Sequence, residues 1–356
     1  MKTVRQSTEK LDFSGDSIYV GIDVHKKQWN VFIMSKLKEH KGFVQPPRAA
    51  DLANYLRSNF PGATYYSVYE AGFCGFWPHR DLLKEGINNI VVNPADVPGM
   101  DKERKNKSDK VDCRKLCRGL RNGDLKGIFV PDPVSLEERE LVRVRMRLVR
   151  DIRRYKCRIK GMLNFYGIHI PSSSWSNAFI KKLKELELHT PSGTLALRIL
   201  IKELEHLCES KKELAKQLRT LIKQESYCEP IKSLTSIPGV GLITAMTCLT
   251  EVGDTSRFKR VDQLCNYIGL VPSFHSSGDT QHVGSLTPRK NSHLLSVLIE
   301  SAWTAVGKDP ALMHCYHKLC TRMEGQEAII RIARKLVARM RFVLLHRTQY
   351  QLRTAA

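Results

Sequence analysis

The sequence predicts an α/β fold in its N-terminal part, followed by mainly helical regions. Runs of β-branched and aromatic residues, IYVGIDV, QWNVFIM, TYYSVYE and NNIVVNP, occur before residue 100 together with one helical stretch. Between about residues 135 and 225, apolar residues recur near helical spacing among many Arg and Lys. From about residue 230, a Pro-Gly-Val-Gly turn separates two apolar stretches. These three observations predict the class α/β plus α.

The first elements follow from local patterns. Residues 1–16 are polar and predict a flexible arm. The segments IYVGIDV and QWNVFIM predict two strands joined by the short basic turn HKK, and TYYSVYE predicts a third strand that leads into the loop AGFCG. A helix over FWPHRDLLKEG and a buried strand over NNIVVNP follow. This order of strand, strand, strand, helix, strand and helix fits a mixed sheet covered by helices.

Changes in composition predict four regions: an arm over 1–16, an α/β domain over 17–134 that part of the following helices completes, a helical or coiled-coil region over 135–229, and a C-terminal domain over 230–356. Within the helical region, the segments Pro171–Trp175 and Thr190–Gly193 predict helix breaks.

The charge of the chain indicates a polyanionic partner. There are 58 Lys plus Arg against 36 Asp plus Glu, which gives a formal net charge of +22, and nucleic acid is the commonest partner for such a charge. A membrane partner is disfavoured because no run approaches the roughly 18 apolar residues of a spanning helix. The polar start of the sequence and the scattered positions of the 10 Cys predict reduced thiols and a cytoplasmic location.

Four carboxylates stand out on this basic chain. Asp23 lies in SIYVGIDVHKK, Glu70 ends TYYSVYE, and Asp109 and Asp112 lie in KNKSDKVDCRK. The last two would share one face of a helix because they are three residues apart. Clustered acidic side chains are costly without a cation between them, so the set predicts bound Mg²⁺, with Mn²⁺ as the alternative, acting on phosphate.

Seven segments occur in order over about residues 18 to 345: VGIDVHKK, VYEAG, VVNPADV, KNKSDKVDCRKL, SIPGVGLITA, RFKRVDQLCNYIGLVPSFHSSG and IIRIARKLVARM. Together they resemble the transposases of the insertion-sequence 110 and 1111 group, also called DEDD transposases or bridge-RNA-guided recombinases. The resemblance implies an N-terminal RuvC-like domain of the ribonuclease H fold, a helical coiled-coil insertion and a mainly helical C-terminal transposase domain. It also implies that Asp23, Glu70, Asp109 and Asp112 bind the metal.

The resemblance further implies a serine nucleophile that forms a transient phosphoserine link to DNA. In this chain the matching Ser-Gly motif is HSSGDT and the matching residue is Ser277, with Ser276 and Ser273 as rivals. We predict that Ser277 lies in a loop, where Gly278 permits close approach of a DNA backbone. An alcohol nucleophile conserves the bond for rejoining but needs activation, which metal-bound carboxylates or a neighbouring base could supply.

The segment after the Ser-Gly motif departs from the family pattern. The family usually shows arginines there, whereas this chain has His282 and Val283. His282 is a weaker phosphate clamp than a guanidinium group. Support for the transition state is therefore expected from Arg289 or Lys290.

A wider set of residues is predicted to contact nucleic acid. The Pro-Gly-Val-Gly turn resembles a helix-hairpin-helix, in which glycines let backbone amides approach a phosphate, but it equally fits an ordinary tight turn between packed helices. The Arg-rich helix after residue 135 fits either a phosphate-binding surface or a solvated face. The predicted contacts are Lys107, Lys110, Arg114, Arg143, Arg147, Arg150, Arg154, Gly239, Gly241, Gly278, His282, Arg289, Lys290 and Asn291.

These inferences predict a transposase that cuts and rejoins the DNA of its own insertion sequence. The resemblance implies guidance by a noncoding RNA of the element, and a homodimer or homotetramer in which the acids of one protomer meet the serine of another. One alternative is a RuvC-like structure-selective nuclease that uses metal-activated water. The other is a nucleic-acid-binding protein without catalysis, which the clustered carboxylates disfavour.

Overall fold

The computed structural model describes residues 12–97, 109–169, 175–277 and 280–352. The chain divides into two compact units, Met1–Val130 and Pro131–Ala356.

The N-terminal unit is built on a five-stranded mixed sheet with the strand order β3-β2-β1-β4-β5. The pairs β1–β2 and β2–β3 are antiparallel, and the pairs β1–β4 and β4–β5 are parallel. The strands are β1 (Ser17–Val24), β2 (Trp29–Ser35), β3 (Glu39–Gln45), β4 (Thr64–Glu70) and β5 (Asn88–Val92). The helices of this unit are α1 (Ala49–Asn59), α2 (Trp77–Lys84) and α3 (Asp109–Asn122). The predicted mixed α/β sheet is confirmed, and it is consistent with a RuvC-like fold.

Helices cover both faces of this sheet. On one face, Ile18, Val20 and Ile22 of β1 are fully buried in a core that includes Leu52 of α1 and Leu82 of α2. On the other face, a smaller core joins the sheet to α3 and consists of Val68, Val92 and Leu116. Because successive strand residues face opposite sides, the odd-numbered residues of β1 point toward α3.

The predicted element order was incomplete, since it lacked both β3 and α1. The sequence of β3, EHKGFVQ, has largely exposed or half-buried positions, as expected for the edge strand that the sheet order shows. A charged edge strand lacks the apolar alternation on which the prediction depended.

The C-terminal unit is mainly helical. Its helices are α4 (Pro133–Phe165), α5 (Asn177–Glu185), α6 (Pro191–Leu221), α7 (Glu225–Thr235), α8 (Leu242–Val252), α9 (Val261–Ile268), α10 (Ser292–Val306), α11 (Pro310–Cys320) and α12 (Gly325–His346). A two-stranded sheet formed by β6 (Pro272–Ser277) and β7 (Thr280–Leu286) lies between α9 and α10 in sequence. None of the helices in the described ranges is long and apolar enough to cross a membrane.

Two hydrophobic cores organise this unit. The long helices α4 and α6 pack together through one core, in which Ile159 and Leu163 of α4 meet Leu197 and Ile201 of α6. Helices α7 to α12 surround the second, larger core. The predicted break at 190–193 corresponds to the start of α6, where the Thr190 hydroxyl accepts a hydrogen bond from the Gly193 amide at 3.1 Å.

Candidate functional site

Asp23 and Glu70 lie at the same edge of the N-terminal sheet. The strands β1 and β4 are parallel, and their last paired residues are Ile22 and Tyr69. Asp23 and Glu70 follow at the next position on each strand, so they lie side by side at the carboxyl ends. Both are half-buried. Glu70 lies two residues after Val68, and this places both acids on the face covered by α3.

Helix α3 lies directly on β1 beside these acids. A Cβ atom at Gly21 would lie 1.9 Å from the backbone oxygen of Cys113 and 2.6 Å from the backbone nitrogen of Cys117. The Cys117 thiol also donates a hydrogen bond to the backbone oxygen of Tyr19 at 3.1 Å. Glycine at position 21 is therefore what lets the start of α3 approach the strand that carries Asp23.

Asp112 directly precedes Cys113, whose backbone oxygen packs against Gly21 on the strand that carries Asp23. Burial raises the pKa of the Cys113 thiol to about 11, and the negative charges of Asp23 and Asp112 contribute to the increase. Both carboxylates therefore lie close enough to the same thiol to affect its ionisation. Asp112 is half-buried. Asp109 is the first residue of α3, but its side chain lies outside the described residues.

His25 contacts Asp23 at the candidate site and was not among the predicted site residues. Its Nε2 lies 3.0 Å from Oδ2 of Asp23, and a hydrogen bond from His25 amide to the Gln28 carbonyl, 3.0 Å, closes the turn that presents it. The side chains of His25 and Asp23 are 43% and 25% exposed, so solvent reaches the pair. A histidine two residues after a strand carboxylate, in a tight turn, is the signal that could have identified it.

The acids offer oxygen ligands, which Mg²⁺ and Mn²⁺ prefer in proteins. Among the described side chains, no three His, Cys, Asp or Glu residues form a ready metal-binding group. Asp23 and Glu70 nevertheless share one edge of the sheet, and Asp112 lies on the helix packed over it. The chemistry and placement of these three residues fit a divalent cation.

Ser277 lies at the end of a strand, not in the predicted loop. It is the last residue of β6, and it pairs with Thr280 at the start of β7. The two-residue connection, Gly278 and Asp279, lies outside the described residues. Strand residues on both sides of a Gly-Asp pair are a hairpin signal that the loop prediction overlooked. The side chains of Ser273, Ser276, Ser277 and His282 also lie outside the described part of the structure.

Two backbone hydrogen bonds hold the base of this hairpin. The Thr287 amide donates to the Val271 carbonyl at 3.0 Å, and the Asn291 amide donates to the Ile268 carbonyl at 3.2 Å. Gly269 has φ +91°, and a Cβ there would lie 2.2 Å from the Cβ of Lys290. The chain entering the hairpin thus packs tightly on the chain leaving it, where Lys290 lies.

Arg143 and Asn291, two of the residues predicted to contact nucleic acid, both bind a buried carboxylate within the C-terminal unit. The Arg143 guanidinium donates to both carboxylate oxygens of Glu251, at 2.6 and 2.7 Å. The Asn291 side chain donates to the same carboxylate at 2.9 Å and accepts a hydrogen bond from the Leu294 amide at the start of α10. Because Glu251 is only 3% exposed, both side chains neutralise or bind a charge in the interior of the C-terminal unit.

The other arginines of α4 that are predicted to contact nucleic acid lie on the surface. Arg147, Arg150 and Arg154 are exposed along α4. Arg147 contacts Glu140, and Arg154 lies 3.1 Å from Asp151. Exposed ion pairs of this kind contribute little stability, so these arginines could exchange their partners for phosphates.

Arg114 and the two predicted lysines belong to the N-terminal unit. Arg114 of α3 contacts Glu39 of β3 and lies 5.4 Å from the centre of the Phe32 ring. It is exposed. Lys107 and the side chain of Lys110 lie outside the described residues.

The Pro-Gly-Val-Gly turn joins α7 to α8, and its two glycines differ. Gly239 has φ +89°, and a Cβ there would lie 2.5 Å from the backbone oxygen of Ser301 and 2.6 Å from the Cβ of Ala305. This glycine is thus required for packing on α10, which is a different reason from the predicted approach to a phosphate. A Cβ at Gly241, which precedes α8, would meet nothing within 4 Å.

A mixed sheet with two acids at its carboxyl edge, covered by a helix that carries a third acid, is consistent with a RuvC-like α/β unit. Family models match both units. The model of the IS110-type DEDD transposases matches residues 20–168, and the model described as "Transposase IS116/IS110/IS902 family" matches residues 231–318. The chain belongs to the IS110 family of DEDD transposases, whose members are DNA-recombining enzymes.

Individual relatives agree with this family. The protein y4qE of Sinorhizobium fredii, which is named as a transposase, is 31% identical over 240 residues, or 67% of this chain and 58% of the relative. The transposase for insertion sequence element IS1111A of Coxiella burnetii is 27% identical over 289 residues, covering 80% of this chain and 76% of the relative. The transposase for insertion sequence element IS1533 of Leptospira borgpetersenii is 27% identical over 304 residues, with coverages of 80% and 84%.

Proposed function

We propose that this protein is the transposase of an insertion sequence, and that it cuts and rejoins DNA through carboxylates at the sheet edge and a serine nucleophile. The observation that carries the proposal is the placement of Asp23 and Glu70 at adjacent carboxyl strand ends, with α3 packed over them at Gly21. Clustered carboxylates on a chain of net charge +22 suit work on a phosphodiester better than binding alone.

The acids supply the negative charge that holds a cation at the DNA. Asp23, Glu70, Asp109 and Asp112 would bind Mg²⁺ or Mn²⁺, which stabilises the negative charge that develops on a phosphate undergoing substitution. His25 lies 3.0 Å from Asp23, and a hydrogen bond from the imidazole fixes the orientation of the Asp23 carboxylate.

Ser277 would act as the nucleophile. Its Oγ loses a proton and forms a bond to phosphorus, while the bond from phosphorus to one deoxyribose oxygen breaks and that oxygen takes up a proton. The phosphoserine keeps a phosphodiester-like bond. A deoxyribose hydroxyl of another strand can then attack it, rejoin the DNA and restore the serine.

The test is a search for a covalent protein–DNA adduct. The protein is isolated under denaturing conditions from cells that carry its insertion sequence, and any attached nucleotide is located by mass spectrometry. An adduct on Ser277 that is lost in Ser277→Ala and retained in Ser276→Ala is the expected result. Cation-dependent cutting with no adduct would favour the water-using nuclease, and neither adduct nor cutting would favour a non-catalytic binding protein.

We also propose a guide RNA and a homodimer or homotetramer. The exposed arginines of α4 and the net positive charge provide a surface for a nucleic-acid backbone, which is how double-stranded RNA is mostly recognised. Copurification of a defined RNA of the element, released by ribonuclease, is the expected result. A preparation that is free of RNA yet recombines DNA would exclude the guide.

A further inference from the structure

Glu251 is a buried carboxylate in an otherwise uncharged helix. Helix α8, LITAMTCLTEV, contains Glu251 as its one charged residue, and the side chain is 1% exposed. The charge is paired with Arg143 of α4 through two hydrogen bonds at 2.6 and 2.7 Å. This bidentate geometry is the strong form of an ion pair.

Stability alone explains this ion pair poorly. Burying two charges carries a large desolvation penalty, and well-packed apolar residues often stabilise a fold as much or more. What a buried pair can provide is a fixed arrangement of the elements that it joins. The position of those elements is therefore the informative point.

Glu251 contacts the chain on both sides of the β6–β7 hairpin. On the entering side, the Tyr267 hydroxyl donates to the backbone oxygen of Glu251 at 2.8 Å. On the leaving side, the Asn291 amide group donates to the Glu251 carboxylate at 2.9 Å. Tyr267 lies five residues before β6 begins at Pro272, and Asn291 lies five residues after β7 ends at Leu286.

We propose that Glu251 is a positioning residue that holds the hairpin carrying Ser277, and that Arg143 links this hairpin to the long helix α4. The proposal rests on the proposed nucleophilic role of Ser277. Glu251 fixes both ends of the hairpin to α8, while Arg143 neutralises its buried charge and ties it to the helix that runs into the α4–α6 pair. The chain on both sides of the hairpin is thereby held in one place relative to the helical core.

Loss of this positioning should lower the rate of adduct formation measurably. A shift of about 1 Å at a reacting group can lower a rate by about 100-fold. Glu251→Gln keeps the volume and one carbonyl oxygen but removes the charge that Arg143 requires. We expect this variant to fold, to bind element DNA as the wild type does, and to form the Ser277 adduct at least about tenfold more slowly at saturating DNA.

A matched control exists in the same unit. Asp309 is also buried, at 1% exposure, and it accepts a hydrogen bond from Arg339 at 2.6 Å while it caps α11 through the Leu312 amide at 3.0 Å. Like Glu251, it is therefore a buried carboxylate with an arginine partner, but its contacts among the described residues do not include the hairpin. Asp309→Asn should destabilise the unit but leave the adduct rate, corrected for the folded fraction, near that of the wild type.

Hydrogen–deuterium exchange gives a readout that does not depend on chemistry. We expect faster exchange of residues 287–295 in Glu251→Gln than in the wild type under conditions where global unfolding is rare, and no such change in Asp309→Asn. Arg143→Lys keeps the charge but loses the bidentate geometry, so its increase in exchange should be intermediate. This variant replaces Glu251→Gln in the test if Glu251→Gln does not fold.

The outcomes separate the two proposals. An unchanged adduct rate and unchanged exchange in the Glu251 and Arg143 variants would overturn the positioning role, as would an equal loss in Asp309→Asn. A wild-type protein that cuts DNA without an adduct on Ser277 would overturn the proposed nucleophile, while the exchange comparison would still decide whether Glu251 holds the hairpin.

Discussion

The backbone oxygen of Cys113 occupies the place where any residue other than glycine at position 21 would put its Cβ. The distance between that oxygen and an ideal Cβ at Gly21 is 1.9 Å. Gly21 lies two residues before Asp23 on β1, and Cys113 directly follows Asp112 on α3. The close packing of strand and helix at this point therefore sets the distance between two of the four acids.

Replacing Gly21 by alanine should separate α3 from β1. The clash is with backbone atoms, which cannot be relieved by a side-chain rotation, so the whole helix must shift. We expect Gly21→Ala to lower the free energy of unfolding of the N-terminal unit by about 1–3 kcal/mol, measured by urea denaturation. Gly72→Ala is the control, because the nearest atom to a Cβ there is the Glu70 backbone oxygen at 4.0 Å. Equal stability of the two variants would contradict the close packing.

The two glycines of the Pro-Gly-Val-Gly turn should respond differently to alanine. Gly239→Ala introduces a residue with φ +89° and a contact of 2.5 Å with the Ser301 backbone, so we expect a lower midpoint of thermal unfolding. Gly241→Ala has open space and φ −87°, so the fold should tolerate it. The DNA affinity of Gly241→Ala then tests the predicted phosphate contact separately from stability. Weaker binding without loss of stability would support a helix-hairpin-helix that contacts phosphate. Unchanged affinity would contradict that contact.

The sequence predicted four of the five strands of the sheet, including the two that carry Asp23 and Glu70. Those strands, β1, β2, β4 and β5, carry strong β-branched and aromatic patterns. The edge strand β3 was missed because its residues alternate weakly and are mostly charged or polar. A strand of this kind is fixed by its neighbour in the sheet, which local pattern does not reveal.

The ion pair of Arg143 with Glu251 could not be predicted either, because it too depends on contacts between residues that are distant in sequence. It lies in an Arg-rich helix where most cations are exposed, and its partner Glu251 is 108 residues away in sequence. The available signal was the single acid in the apolar stretch LITAMTCLTEV, because a buried charge requires a partner. Which of the many arginines would supply it depends on the packing of α4 against α8.

The cysteines should divide by reactivity according to their burial. Cys157 and Cys320 are exposed, whereas Cys113 and Cys117 are buried on the face of α3 that packs against β1. Burial raises the pKa of Cys113 to about 11 and that of Cys117 to about 12, so near pH 8 only about one in a thousand or fewer of these thiols is ionised. We expect alkylation at Cys157 and Cys320 first, located by mass spectrometry. Early labelling of Cys113 in the native protein would contradict the packing of α3 on β1, and early labelling in Gly21→Ala would support it.

Neutralising Asp23 should abolish DNA cleavage without weakening DNA binding. Asp23→Asn removes a ligand charge from the sheet edge but no phosphate contact, so the rate should fall by at least about 100-fold, while affinity in a gel-shift assay stays unchanged. Asp109→Asn should behave in the same way. Asp124→Asn, an exposed residue after α3, is the control with the same loss of charge. If Asp23→Asn recombined DNA at the normal rate, the assignment of the acids would be wrong.

The ion pair of Glu251 should make stability depend on pH in a defined direction. Burial raises the pKa of this carboxyl, but the hydrogen bonds and charge of Arg143 together with the bond from Asn291 outweigh it and hold the pKa below its ordinary value of 4.5. A carboxyl whose pKa is lower in the folded state binds its proton more readily when the chain is unfolded. Its contribution to stability is therefore complete above the unfolded pKa and is lost as the pH falls through the folded value.

The comparison of wild type with Glu251→Gln isolates this contribution from that of other acids. Glutamine does not titrate, so the difference in free energy of unfolding between the two proteins should stay constant from about pH 8 to about pH 6 and should shrink as the pH falls below about 4.5. Urea denaturation at a series of pH values measures it. A difference that grew with acidity would mean that the Glu251 pKa is raised in the folded state, so that the desolvation of the buried carboxyl exceeds the stabilisation by Arg143 and Asn291.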